Sequence, residues 1–395
     1  MEYLIIIILL LYYTYIHDIK GEKRSRKRHL NILFLLFFLL AGLRHGMGGD
    51  TYQFRIFWET LPSLDNVTWH HLTIYRYDMG WVLLSFIMKV LFGSFVSLQL
   101  LLSFILNKGL FKIVERYSTY PFLCLLLFFI AGDQFFNIEF VFMRQAFSVA
   151  IFLLYGVNTL LDRKYLKYSI VICLCGLMHF SAFALMILPF FQEINFEDKK
   201  IAKRLVVIIS ISTILISLLF SYTSLAQLRG ITRFMNNIEN ISINNSGNEL
   251  LRFFNSSYNL ILYYFVILYA AKKKIIKIRY HSMLLLGVIT IIATPYIGDF
   301  QRIIFFVIIF IDIHLALIVK YFSRKTFGSF ILICTFYLVG SNLLFYERYT
   351  SKEFRLFIYP YYFWFEEEPQ SHKKYMNERK KDSYTINYQI YDGSK

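Results

Sequence analysis

The stretch YLIIIILLLYYTYI, residues 3–16, carries no charged residue and is followed closely by a run of basic residues. The basic residues of that run are Lys20, Lys23, Arg24, Arg26, Lys27 and Arg28. No small-residue cleavage site separates the two, so the sequence predicts a retained transmembrane helix and not a cleaved signal peptide. Because positive residues concentrate on the inner side of a membrane, the basic run is expected in the cytoplasm and the N-terminus outside.

Apolar stretches of this kind recur along the whole chain. Apolar residues make up 57% of the 395 and charged residues only 17%, which is typical of a protein whose surface faces lipid. The net charge is +16, but Lys and Arg form short clusters between apolar stretches, so nucleic-acid binding is not expected. The cysteines all lie in apolar stretches and predict neither disulfides nor a metal site: Cys124, Cys173, Cys175 and Cys334.

The basic clusters also determine how the apolar stretches alternate, since each cluster is expected to face the cytoplasm. Later clusters lie at 163–167, 199–204, 272–279 and 320–325. About twelve spanning helices satisfy them: 3–16, 31–43, 95–111, 121–131, 145–161, 168–178, 180–191, 205–220, 260–271, 283–297, 303–319 and 327–344. The short stretch 80–91 carries Lys89 and breaks the alternation if it spans, so it is predicted to be a re-entrant or interfacial helix.

The predicted fold is therefore all-α, a polytopic transmembrane bundle forming one membrane domain over residues 1–345. Outer loops are expected at 44–78 and 221–258, and a charged tail, 346–395, is expected outside. A single long helix through 168–191 would place the cluster at 199–204 outside. The sequence therefore predicts a helical hairpin that turns near His179.

This topology brings four polar features to the outer face of the membrane. They are the glycine-rich turn with Arg44, Asp50 and Tyr52, the pair Arg144 and Gln145, the pair His179 and Ser181, and the pair Asp299 and Arg302. Glycines let backbone amides approach an anion, and an Arg at a helix N-terminus adds to the positive end of the helix dipole. Charged groups at such depth are costly, so together they indicate a binding site for an anion.

Each feature also has a simpler interpretation. A single Arg at a helix end is more often an anchor to lipid headgroups, and a lone His is more often a packing residue. Asp50 fits a turn cap, and Asp299 fits an ion pair with Arg302. The shared depth of three arginines and His179 favours the binding site.

The same residues carry a resemblance to a known family. The order Leu-Arg-x5-Asp-x-Tyr at 43–52, Met-Arg-Gln-Ala at 143–146, His-Phe-Ser-Ala at 179–182 and a late Arg302 resembles the EpsG family, which is related to the Wzy-type polymerases of bacterial surface polysaccharides. The resemblance implies a GT-C-like membrane glycosyltransferase in the inner membrane. Its expected substrates are oligosaccharide repeat units linked to undecaprenyl pyrophosphate, used for exopolysaccharide, capsule or O-antigen synthesis.

The resemblance also implies roles for the polar residues. Arg144 and Arg302, aided by Arg44, would hold the pyrophosphate, and Gln145 would orient it. The base for the acceptor hydroxyl would be His179, which is slightly favoured, or Asp50. The other expected substrate-binding residues are Tyr52, Ser181 and Asp299. No metal and no other cofactor is expected, and the expected partners are the lipid-linked glycan, membrane lipids and a chain-length regulator.

Two other classes of protein fit part of the pattern. A flippase or transporter of lipid-linked glycans would bind pyrophosphate without chemistry, but the chain has no convincing internal repeat and its polar residues avoid the membrane midplane. A membrane acyltransferase that modifies surface glycans would also use an intramembrane His, but it needs a cytoplasmic route for its acyl donor.

Overall fold

The computed structural model describes residues 2–45, 47–48, 50–67, 77–130, 133–193, 280–293 and 301–323, with Phe363 and Phe365 from the tail. The main helices of these ranges are α1 Glu2–Ile19, α2 Arg26–Gly42, α3 Thr51–Thr60, α4 Met79–Phe92, α5 Phe95–Tyr117, α6 Pro121–Ile130, α7 Met143–Leu161, α8 Tyr165–Met178, α9 Phe180–Glu193, α10 His281–Ala293 and α11 Gln301–Ser323. Short helical turns occur at Leu64–Asn66, Asp133–Phe136 and Asn137–Val141. The described part of the chain contains no strand, and an isolated antiparallel bridge joins Arg44 to Phe363. The all-α prediction is confirmed for these residues.

Three helices, α1, α5 and α7, are long and apolar enough to cross a membrane. Four shorter apolar helices, α4, α6, α8 and α9, accompany them. The expected spans at 205–220, 260–271 and 327–344, the loop 221–258 and the tail apart from its two phenylalanines lie outside the described residues. The number of spans, about twelve, stays a prediction.

The predicted hairpin at His179 is confirmed. The backbone of His179 is extended, with φ −155° and ψ 119°, and it separates α8 from α9. The two helices then run side by side, because the hydroxyl of Tyr168 donates to the carbonyl of Leu185 at 2.7 Å. Gly176 faces the ring of Phe183 so closely that an added Cβ would lie 2.4 Å from it. His179 is thereby fixed at the tip of a tight hairpin.

Side-chain hydrogen bonds to backbone carbonyls tie neighbouring helices together. Ser103 of α5 donates to Phe38 of α2 at 3.0 Å, and Ser148 of α7 donates to Cys175 of α8 at 2.9 Å. In a medium without water such bonds satisfy polar groups that would otherwise be costly to bury. Helix α11 packs against α6 and α10, and most of its side chains from Ile303 to Ile318 are buried.

Basic residues of two clusters, 20–28 and 163–167, lie at one end of the bundle. The 19 residues of α7 span about 28 Å, so Arg144 at its start and Arg163 just after its end lie at opposite ends. The guanidinium of Arg116, at the end of α5, donates to Asn158 near the end of α7 at 2.7 Å. We call this the basic end, and the opposite end, with the starts of α3, α4, α7 and α11, the Arg144 end. Thr119 and Tyr120, which follow Arg116, line a pocket together with Lys23 and Arg26. The clusters at 20–28 and 163–167, which are predicted to share one side of the membrane, therefore lie at the same end.

Helix α4 contacts α3 through its only lysine. The ammonium group of Lys89 donates to the carbonyls of Trp58 and Leu61 at 2.8 and 2.7 Å, near the last turn of α3. Helix α4 stops at Gly93, whose φ of +65° is a left-handed conformation that glycine adopts without strain. The two helices therefore both lead away from the Arg144 end side by side. The assignment of residues 80–91 to a re-entrant or interfacial helix stays a prediction.

Candidate functional site

Arg144 is the centre of a polar cluster at the Arg144 end. It is the second residue of α7, and its Nη1 lies 2.7 Å from Oδ2 of Asp78. The guanidinium carbon lies 4.8 Å from the centre of the Tyr77 ring and 5.8 Å from that of Phe54. The side chains of Arg144 and Asp78 are 23% and 24% exposed, so this ion pair is shielded but can be reached from outside. Cation–π contacts with two rings also hold the guanidinium plane in place.

Asp78 lies between Arg144 and the His179 turn. Burial raises the pKa of the Asp78 carboxyl, and the nearby Arg144 cation together with the backbone amides of Asp78 and Phe180 opposes that rise. The close approach depends on Gly80 at the start of α4, where an added Cβ would lie 2.7 Å from the carbonyl oxygen of Leu177. Helices α4 and α8 can therefore approach closely enough to place Asp78 beside residues 179 and 180.

The ring of His179 has its Nδ1 occupied by its own turn. The amide of Ser181 donates to Nδ1 at 3.3 Å, and the Ser181 hydroxyl lies 2.7 Å from the same nitrogen. Because an amide can only donate, Nδ1 must be an acceptor, and a neutral ring then carries its proton on Nε2. Burial lowers the pKa of His179, and the positive charges of Arg144 and Arg302 lower it further. The imidazole is therefore neutral at physiological pH.

Gln145 connects the start of α7 to the start of α11. Its side chain is buried, and its Nε2 donates to the backbone carbonyl of Arg302. Phe142 and Phe305 pack edge to face beside this bond, with ring centres 5.5 Å apart. The side chain of Arg302 is exposed and close enough to interact electrostatically with both Arg144 and His179. A second cation is thereby held near the first.

Gly48, in the glycine-rich sequence after Arg44, is packed against protein. Gly48 has φ +96°, and an added Cβ would lie 2.0 Å from the carbonyl oxygen of Phe140. The hydroxyl of Thr51 donates to the same carbonyl at 3.0 Å, and Nη2 of Arg44 lies 3.4 Å from it. Asp50, which precedes α3, interacts electrostatically with Arg144. The turn therefore positions Asp50 near the cluster.

Arg44 itself is fully buried. Its Nη1 donates to the carbonyl of Ala41, and its guanidinium carbon lies 5.3 Å from the centre of the Phe140 ring. At this burial the guanidinium has no access to a ligand, so the structure does not support the substrate-binding role expected from the sequence. Arg44 is better described as a structural residue that, like Gly48 and Thr51, contacts the backbone carbonyl of Phe140.

The structure thus brings six of the expected site residues together: Asp50, Arg144, Gln145, His179, Ser181 and Arg302. Tyr52 lies in the first turn of α3, Arg44 lies deeper, and Asp299 lies outside the described residues. The sequence reasoning missed Asp78 and Tyr77, although a carboxylate directly before an apolar stretch was a usable signal. Among the described residues, no group of three or more His, Cys, Asp or Glu is arranged to hold a metal ion.

The apolar helices and this cation-rich cluster define a helical protein that fits a membrane and carries a polar site at one end of its bundle. The sequence profile of the EpsG family matches residues 27–363, and the chain belongs to this family. That family is associated with polysaccharide polymerisation in exopolysaccharide biosynthesis. No curated protein and no solved structure gives a significant match.

Enlarging Gly80 tests whether the crossing of α4 and α8 positions the cluster. In Gly80→Leu the new side chain meets the Leu177 carbonyl, so α4 must move and carry Asp78 away from Arg144. We expect polymer output to fall by about a hundredfold, because small displacements of reacting groups are that costly. Glycan chain length on gels, with the protein quantified in membranes, measures the effect. Val90→Leu, which enlarges an exposed position of the same helix, should leave output unchanged; an equal loss in both variants contradicts the prediction.

Proposed function

We propose that this protein polymerises lipid-linked oligosaccharide repeat units at the outer face of the cytoplasmic membrane. The growing glycan leaves undecaprenyl pyrophosphate and joins a sugar hydroxyl of the acceptor unit. The observation that carries this proposal is the convergence of Arg144 and Arg302 on the neutral ring of His179 at one end of the bundle. Family membership supports the same type of reaction.

The two arginines fit the demands of the leaving group. A departing pyrophosphate develops negative charge, and guanidinium groups stabilise it with directed hydrogen bonds in a poorly solvated site. Arg144 supplies a partly exposed guanidinium held by aromatic rings, and Arg302 supplies an exposed one anchored through Gln145. The positive end of α7 adds to their field. In this proposal the arginines replace a divalent metal.

His179 would act as a hydrogen-bond donor in this site. Its Nε2–H is the available polar group of the ring, because Nδ1 accepts from Ser181. A donor beside two guanidinium groups suits a phosphate oxygen, and the low pKa keeps the ring neutral while it donates. Ser181 would hold the ring in the correct tautomer.

Apolar side chains beside the cluster offer a surface for the polyprenyl tail. Met79, Leu177 and Phe180 are 44%, 48% and 74% exposed and flank Asp78 and His179 along the chain. The pyrophosphate would then lie at the polar cluster, while the tail follows α4 and α8 into the lipid.

The proposed orientation places the Arg144 end outside and the basic end in the cytoplasm, with the N-terminus outside. The grouping of Lys23, Arg26, Arg116 and Arg163 away from Arg144 supports it through the positive-inside rule. The tail would also be external, which agrees with the bridge between Phe363 and Arg44. The proposed partners are the lipid-linked glycan, membrane lipids and a chain-length regulator.

The proposal is tested by complementing a null strain with Arg302→Ala or His179→Ala. Glycan length is read on gels and repeat units at the cell surface are labelled. We expect polymerisation to fall by about a hundredfold in each variant, as when one donor to a developing anion is removed, while single units still reach the surface. Arg163→Ala, an exposed cation at the basic end, is the matched control and should behave as the wild type. Normal chains in both variants would exclude Arg302 and His179 from the reaction and contradict the proposal, and units trapped inside would favour a transporter instead.

A further inference from the structure

We propose that Asp78 is the base that takes the proton of the acceptor hydroxyl, and that its ion pair with Arg144 keeps it inactive until a pyrophosphate binds. This inference rests on the proposed polymerase function and deepens it. It gives a role to the shortest charged contact of the cluster, which links α4 to α7 across 66 residues of sequence.

The position of Asp78 suits a base. Its side chain is partly exposed, it lies beside the amide of Phe180, and that residue directly follows His179. A sugar hydroxyl that enters the cluster therefore meets a carboxylate that lies beside the Arg144 guanidinium and beside the turn that carries His179. Asp50, the other carboxylate near Arg144, directly precedes α3 and influences Arg144 less strongly than Asp78 does.

The ion pair explains how the base is switched on. A pyrophosphate carries more negative charge than a carboxylate and accepts more hydrogen bonds, so it competes with Asp78 for the guanidinium of Arg144. When Arg144 turns to the pyrophosphate, Asp78 loses the cation that stabilises its charged form while its burial persists. A carboxylate in that position holds a proton more strongly and is a better base.

The chemical step balances with the groups present. The O–H bond of the acceptor breaks and its proton moves to Oδ2 of Asp78. The acceptor oxygen forms a bond with the anomeric carbon of the donor glycan. The bond from that carbon to the pyrophosphate oxygen breaks, and its electron pair leaves with the polyprenyl pyrophosphate, held by Arg144 and Arg302. The proton then leaves Asp78 for water as the ion pair re-forms.

His179 is poorly suited to the same task. The nitrogen that could accept a proton, Nδ1, already accepts from Ser181, and protonation would place a third positive charge beside two arginines. Its role as a donor and the role of Asp78 as an acceptor are complementary. One group contacts the leaving pyrophosphate, and the other contacts the attacking hydroxyl.

The test separates binding from turnover in Asp78→Asn. The purified protein in nanodiscs is titrated with undecaprenyl pyrophosphate, with undecaprenol as the probe that lacks phosphate, and elongation of a lipid-linked repeat unit is timed separately. Removing the competing carboxylate should tighten pyrophosphate binding by about tenfold, because Arg144 no longer has to leave a charged partner. Elongation should fall by about a hundredfold or more, the usual effect of losing a general base.

Three results would overturn the inference for Asp78. They are elongation close to that of the wild type, pyrophosphate binding weakened together with elongation, and a loss that Asp78→Glu does not partly restore. If the Asn variant is not recovered folded, the pH dependence of the elongation rate is measured in Asp78→Glu instead. A shift of the acidic limb of that profile relative to the wild type identifies residue 78 as the titrating group. That limb must be interpreted with the charged and titratable neighbours in view: Tyr77, Arg144, Asp50, Arg302 and His179. A failure of the proposed function looks different, since the wild type itself would then not elongate a lipid-linked repeat unit, whether or not it binds pyrophosphate.

Discussion

Replacing Arg144 by alanine is expected to lower the rate of chain elongation by about a thousandfold. The residue combines the contacts that the proposed reaction needs: a helix N-terminus, an ion pair with Asp78 at 2.7 Å and a guanidinium held over Tyr77. Arg144→Lys should recover little, because an ammonium group cannot form paired hydrogen bonds in one plane or stack in the same way. The rate of elongation in nanodiscs and glycan length in a complemented null strain measure both variants.

The control for Arg144 must show that the loss is chemical. Pyrophosphate binding should weaken by about tenfold or more in Arg144→Ala, whereas thermal unfolding in detergent should change little because the side chain is partly exposed. Arg116→Ala removes a guanidinium from the basic end and should leave elongation intact. Long chains made by Arg144→Ala at wild-type protein levels would exclude Arg144 from the site.

Replacing Arg44 by methionine is expected to destabilise the protein by about 2–4 kcal/mol and to lower its unfolding temperature in detergent by about 5 °C or more. The carbonyls of Ala41 and Phe140 lose a charged donor that is fully buried. The buried carboxyl of Glu139 also loses its nearby cation. Methionine fills much of the volume, so the loss reports on charge and hydrogen bonding more than on a cavity.

A second substitution distinguishes this structural role from substrate binding. Burial raises the pKa of Glu139 to about 8 although the Arg44 cation opposes the rise, so the carboxyl is already largely protonated at neutral pH and without Arg44 it is expected to be fully so. Glu139→Gln mimics that neutral form and keeps a partner for Asn107. Adding it to Arg44→Met should therefore cost less than the two single changes predict together. If Arg44→Met unfolds like the wild type yet loses pyrophosphate binding, Arg44 belongs to the substrate site instead.

The sequence predicted the local features well because they follow from short-range properties. Apolar stretches identified α1, α5 and α7, and the alternation imposed by the basic clusters predicted the hairpin at His179. The helix starts at Met143 and Gln301 placed Arg144 and Arg302 near the same end. The membrane restricts the chain to helices whose ends alternate between its two sides. The order of apolar stretches and basic clusters along the sequence therefore predicts much of the topology.

The partner of Arg144 could not be predicted in this way. Asp78 reaches it only because Gly80 lets α4 approach the carbonyl of Leu177, and no periodicity in the sequence reports that crossing. The depth of Arg44 was equally hidden, since an Arg after an apolar helix is compatible with a headgroup anchor, a ligand site or a buried support. Its burial depends on Phe140, which is far from it in sequence.

The sequence by itself therefore determined that the described part of the chain is helical, that the protein fits a membrane and that it belongs to the EpsG family. Only the tertiary structure decided that Asp78 holds Arg144, that His179 presents Nε2–H and that Arg44 supports the loop. The physical reason is the distance along the sequence over which each property is decided. Transfer into lipid and the placement of basic residues depend on composition over about 20 neighbouring residues, whereas an ion pair and a tautomer depend on which helices cross and how closely.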